Sequence, residues 1–146
     1  MTALPTPATV LAFDFGTRRI GVAVGNTLTR AAQPLMTIDG QPDETRDAGI
    51  AALLAEWQPD VIVVGIPVHA DGTPHAMTAQ AERFATWLSD RFGIAVARAD
   101  ERYTTQAAQA ALDEAGAGRR GRVQRDQVAA QFILQGWLDE LGVADS

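Results

Sequence analysis

Three acids stand apart from the other charged residues because of where they fall. Asp14 sits inside the apolar run Thr9–Phe15 (TVLAFDF), Glu101 comes just after the run Ile94–Ala99, and Asp126 opens an apolar-periodic segment that reaches Leu141. Alternation along a strand puts Leu11 and Phe13 on one face and Ala12 and Asp14 on the other. A carboxylate on a covered strand is costly unless a cation accompanies it. Asp126 lies four residues before Ala130 and shares the stripe Ala130, Ile133, Leu134, Trp137 and Leu141, so it points toward the layer that this stripe covers. For the middle acid, residue type does not decide, because Asp100 competes with Glu101 and either could be a turn acid. Three inward carboxylates suit one chemistry. They hold divalent ions that activate water and stabilise the anionic leaving oxygen of a phosphodiester.

The rest of the composition narrows the metal. There is no cysteine, and the only histidines are His69 and His75, so thiolate sites are excluded and a histidine-rich zinc site is disfavoured. Oxygen ligands point to Mg²⁺ or Mn²⁺. Histidine is not needed as a base where metals activate water.

All 12 basic residues are arginine, against 18 acids, for a net charge of −6. That balance counts against a nucleic-acid coat protein, which carries a basic surface. The distribution is more informative than the sum. Arg119, Arg120, Arg122 and Arg125 precede Asp126, Thr17, Arg18 and Arg19 follow Asp14 in a turn at Gly16, and Arg102 adjoins Glu101. Arginine forks match phosphate oxygens, and turn N–H groups can seat a phosphate, so these residues are the candidate substrate contacts. The three tryptophans fall on helices; Trp57 and Trp137 belong to apolar stripes and read as core residues.

The elements that must position these groups follow from periodicity. Thr9–Phe15, Ile20–Gly25 and Gln33–Ile38 read as three strands of an antiparallel meander. Ile50, Leu53, Leu54 and Trp57 recur at helical spacing within Asp43–Gln58, and Pro59 ends that helix. Asp60–Ile66 is a β-branched run typical of a central strand covered on both faces. A helix over His75–Arg91, a strand over Ile94–Ala99, an alanine-rich helix over Thr104–Ala115, a flexible basic loop at Gly116–Gly121 and a last helix over Arg125–Leu141 complete the order. Strand–helix–strand units require parallel pairing. The fold class is α/β, a mixed sheet flanked by helices. At 146 residues one domain is expected, with Met1–Ala8 as a flexible extension. The chain shows no signal peptide and no apolar run long enough to span a bilayer, so the expected location is cytoplasmic.

Four segments together resemble one family. They are LAFDFGTRRIGVAV (Leu11–Val24), VVGIP (Val63–Pro67) with Asp71–Gly72, DERYTT (Asp100–Thr105), and Asp126 with Ala129–Ala130 and ILQGWLD (Ile133–Asp139). In this order they resemble the YqgF-type pre-16S ribosomal RNA nucleases, relatives of Holliday-junction resolvases. The resemblance implies a ribonuclease H-like fold with a five-stranded sheet. It also implies that Asp14, Glu101 and Asp126 bind the metal, and that the role is maturation of the 5′ end of 16S ribosomal RNA. Junction resolution is the alternative substrate, and a non-catalytic module binding RNA or junctions is the alternative class. Family members often carry Ser-Asp where this chain has Gly25-Asn26, and asparagine at the position of His69. The run Asp14–Thr17 also resembles the phosphate hairpin of actin-like phosphotransferases, but those need two such domains and this chain has length for one.

Overall fold

The computed structural model describes residues 7–67, 71, 73–74, 76–100 and 119–144. Five strands, β1 (Thr9–Asp14), β2 (Arg19–Asn26), β3 (Ala32–Asp39), β4 (Val61–Ile66) and β5 (Ala95–Asp100), form one sheet in the order β3-β2-β1-β4-β5. β1, β2 and β3 are antiparallel neighbours, while β4 runs parallel to both β1 and β5. The meander and the parallel half therefore meet at β1, the central strand. Three helices cover the sheet among the described residues: α1 (Asp43–Trp57), α2 (Thr78–Phe92) and α3 (Arg119–Ala144). This is the five-stranded mixed sheet, flanked by helices, that the sequence resemblance implies.

Strand alternation sorts the core into two layers. Leu11, Phe13, Ile20, Val22, Ile62 and Val64 pack with Ile50, Leu53, Phe84 and Leu88 of α1 and α2. Val10, Ala12, Ala23, Val61 and Val63 pack on the other face with Ala130, Leu134 and Leu138 of α3. β4 is buried at every position, as its unbroken β-branched run requires. Trp57 and Trp87 pack against the first layer and Trp137 against the second, so all three tryptophans serve the core.

Helix ends follow local chemistry. α1 stops at Trp57 because Gln58 turns into the left-handed region (φ 45°) ahead of Pro59, and its N–H closes the helix on the Leu54 carbonyl at 2.8 Å. α2 begins three residues later than periodicity suggests, and the Thr78 hydroxyl donates to the Pro67 carbonyl across its start. The larger correction concerns α3, which starts at Arg119 and not near Arg125. Residues 119–121 of the expected basic loop are thus helical. A single interior glycine costs only about 1 kcal/mol relative to alanine. The arginines and glutamine around Gly121 are good helix formers, and the packed remainder of α3 carries the turn. The expected helix over Thr104–Ala115 lies outside the described residues, as do His69 and His75.

Candidate active site

The site is built around a glycine. Asp14, the last residue of β1, faces Gly21 of β2 across the antiparallel ladder, a pairing that holds Cα atoms about 4.5–5.5 Å apart. A Cβ placed on Gly21 would stand 1.9 Å from the backbone oxygen of Asp126 and 3.0 Å from the Asp126 Cβ. No other residue fits there. Glycine within a strand marks such a close backbone approach, and here it seats the second turn of α3 on the strand beside Asp14. Two of the three acids, 112 positions apart by their residue numbers, therefore share one end of one sheet face.

Small residues prepare that face. Ala12, Ala23, Ala97 and Ala99 belong to the α3 layer, and Gly65 is buried at the β4 position that pairs with Ala99. At the far end of β2, a Cβ on Gly25 would meet Leu134 and Leu138 at 3.2 Å each. The helix thus lies low along the whole strand.

Glutamines fix its position lengthwise. Gln127 donates to Thr37 Oγ1 (3.3 Å), Gln131 donates to the Ala32 carbonyl (3.0 Å), and Gln135 both accepts from the Ala32 N–H (3.0 Å) and donates to the Arg30 carbonyl (2.8 Å). These residues recur every four positions, on one helical stripe beside the apolar one. Asp126 is the residue immediately before this ladder. Sequence reasoning missed the glutamines, although their spacing was a visible signal.

Arg19, one of the candidate substrate contacts, is placed against an acid of the site. Its Nε lies 2.6 Å from Asp126 Oδ2, with both side chains partly buried. It shares strand parity with Gly21, so it rises on the α3 side and meets the acid there. Arg18 and Thr17 are exposed in the preceding turn, whose close approach to Gly40 is secured by the Gly40 N–H donating to the Arg18 carbonyl at 2.7 Å. Arg18 and Arg125 have no acidic partner among the described residues. Arg119, Arg120 and Arg122 fall in the first turns of α3.

Glu101 and Arg102 lie outside the described residues. Val96 and Arg98 pack on the α2 side, with Arg98 Nε at 2.5 Å from Glu82 Oε2 of α2, whereas Ala97 and Ala99 belong to the α3 layer. Asp100 is the last residue of β5 and pairs with Ile66.

The donor chemistry fits a hard cation. Among the described residues no three metal-ligating side chains form a group, and the two acids that converge offer carboxylate oxygens only. Such oxygens suit Mg²⁺ or Mn²⁺ rather than soft metals.

Residues 8–140 match the family described as RuvX, Holliday junction resolvase. The chain belongs to this family. It is 52% identical over 135 residues to a protein of Burkholderia lata, covering 92% of this chain and 91% of that one. It is 51% identical over 136 residues to one of Chromobacterium violaceum, covering 92% and 99%. Both relatives bear the name "Putative pre-16S rRNA nuclease". In fold the chain is similar to Thermus thermophilus RuvC solved with a Holliday junction substrate, at TM-score 0.56 and 15% identity, covering 92% and 96% of the two chains.

The Gly25-Asn26 departure from the family pattern falls far from this site. Asn26 pairs with Thr9 at the opposite end of β1, about 17 Å along the strand from Asp14. Its Oδ1 accepts from the N–H groups of Leu28 and Thr29 at 3.0 and 2.8 Å, which makes it a turn residue.

Proposed function

We propose that this protein is a divalent-metal-dependent nuclease that processes the 5′ end of precursor 16S ribosomal RNA, working as one domain in the cytoplasm. The observation that carries the reading is the seating of Asp126 on Gly21, the ladder partner of Asp14. An acid on a helix with a purely structural role needs no such approach. The family and the names borne by its relatives supply the reaction class and the substrate. No helix among the described residues is long and apolar enough to cross a membrane.

In this reading Asp14, Glu101 and Asp126 hold Mg²⁺ or Mn²⁺. The bound ions would supply a water nucleophile at neutral pH and charge stabilisation for the leaving oxygen. Glu101 is assigned in preference to Asp100 because it matches the metal-binding position of the family motif that the segment DERYTT resembles. Arg19 is a positioning residue that aims the Asp126 carboxylate, as partners behind metal ligands commonly do. Thr17, Arg18, Arg102, Arg119, Arg120, Arg122 and Arg125 draw the phosphate backbone across the carboxyl end of the sheet.

The test uses wild type and Asp14→Asn with Mg²⁺, Mn²⁺ or EDTA, on a 16S precursor carrying its 5′ extension and on a four-way DNA junction. Metal-dependent trimming of the RNA is expected. Asp14→Asn should lower it by more than about a hundredfold, the upper range for loss of a mere ligand-orienting partner. Symmetrical cutting of the junction alone would keep the chemistry and replace the substrate. Salt-sensitive binding with no cleavage of either would make the protein a non-catalytic binding module.

A further inference from the structure

The residue after Asp14 leads to a second site. Phe15 turns to the opposite side of the sheet, where its ring lies 4.7 Å from that of Phe84, and Phe84 stacks at 6.0 Å with Trp87. These rings, with Arg46, Gln80 and Arg83, line an open pocket of about 290 Å³, close to the lower bound of small-ligand sites (about 300–1,000 Å³). α1 and α2 both begin at the carboxyl end of the sheet, and the pocket lies between their early turns. It therefore opens at the same end of the molecule as Asp14.

The polar residues divide into support and recognition. Arg46 is already engaged, with its guanidinium 5.3 Å from the centre of the Trp87 ring and its Nε bonded to Asp47 at 2.9 Å. It fixes the aromatic wall. Arg83 is exposed and has no acidic partner among the described residues, in a chain of net charge −6. Gln80 offers an amide donor and acceptor together. An aromatic wall, an amide and an uncompensated guanidinium are the groups that grip a single nucleotide: stacking for the base, hydrogen bonds for its edge and charge for its phosphate.

We propose that this pocket receives one unpaired nucleobase of the strand being cut, at a position flanking the scissile phosphate. The base stacks on the ring of Phe15, and the adjoining phosphate meets Arg83. The assignment rests on the nuclease reading above and sharpens it, since it makes the substrate single-stranded beside the cut. A continuous duplex keeps its bases stacked and cannot fill the pocket.

An abasic scan tests it. A single-stranded RNA spanning the processing site is prepared with one abasic residue moved through each position. Binding to the full-length protein is read by fluorescence anisotropy with Ca²⁺, and cleavage is read separately with Mg²⁺. One position should show binding weakened about fivefold to a hundredfold, the usual effect of losing one base–aromatic stack. Phe15→Leu, which keeps an apolar side chain against Phe84, should abolish that position's penalty while binding the intact strand as weakly as the abasic one. Arg83→Ala, an exposed change, should reduce the slope of log affinity against log salt by about one. A flat scan, or a penalty that Phe15→Leu and Arg83→Ala both leave unchanged, overturns the pocket. A single-position penalty sensitive to Phe15→Leu, in a protein that cleaves nothing, overturns the nuclease and leaves the base site standing.

Discussion

The two faces of the sheet are built to different standards. Toward α1 and α2 the strands present Leu11, Phe13, Ile20, Val22, Ile62 and Val64, large side chains that keep the helices at ordinary distance. Toward α3 they present Ala12, Gly21, Ala23, Gly25, Ala97 and Ala99, and the helix descends until its backbone meets the strand. The first face gains stability from buried area. The second gives up area for closeness, and closeness is what brings Asp126 beside Asp14. A site made of two short carboxylates, each reaching only a few ångströms from its backbone, needs the thin face.

The difference can be broken from either side. Leu88 is fully buried in the thick layer, so Leu88→Ala should destabilise the fold by about 2–5 kcal/mol. Denaturant unfolding should show the loss, while the folded fraction keeps its turnover per active molecule. Gly21→Ala should also destabilise the fold, by about 1–3 kcal/mol or more for overpacking against backbone, and unlike Leu88→Ala it should remove most of the activity per folded molecule because α3 must lift from the strand. An active Gly21→Ala protein with unchanged metal affinity would show that the acids do not need this approach. Gln131→Ala tests the lengthwise placement. It removes one hydrogen bond to β3, about 0.5–1.5 kcal/mol, and should lower turnover modestly without altering strand content by circular dichroism.

Much of this was legible without coordinates. Thr9–Phe15, the unbroken Asp60–Ile66 run and the periodic Asp43–Gln58 segment all name their elements, because strand and helix periods are local properties of the chain. The faces of Leu11 and Phe13 against Ala12 and Asp14 follow from alternation alone. The start of α3 was not legible, because Gly121 reads as a break until the packing that outweighs it is known. Arg19 could not be separated from Arg18 either. Adjacent residues on a strand differ only in the face they take, and which face carries α3 is a long-range fact.

By itself, then, the sequence determined the residue types of the candidate site, the strand and helix that bear Asp14 and Asp126, and the oxygen donors they offer. The spacing of Gln127, Gln131 and Gln135 was also present in it, without a partner to give it meaning. Tertiary structure decided which of these groups meet. Asp14 and Asp126 converge because Gly21 has no side chain between them, and Phe15 opens a pocket because α1 and α2 begin where β1 ends. Pairing across such separations depends on which faces bury one another, and no local pattern records that.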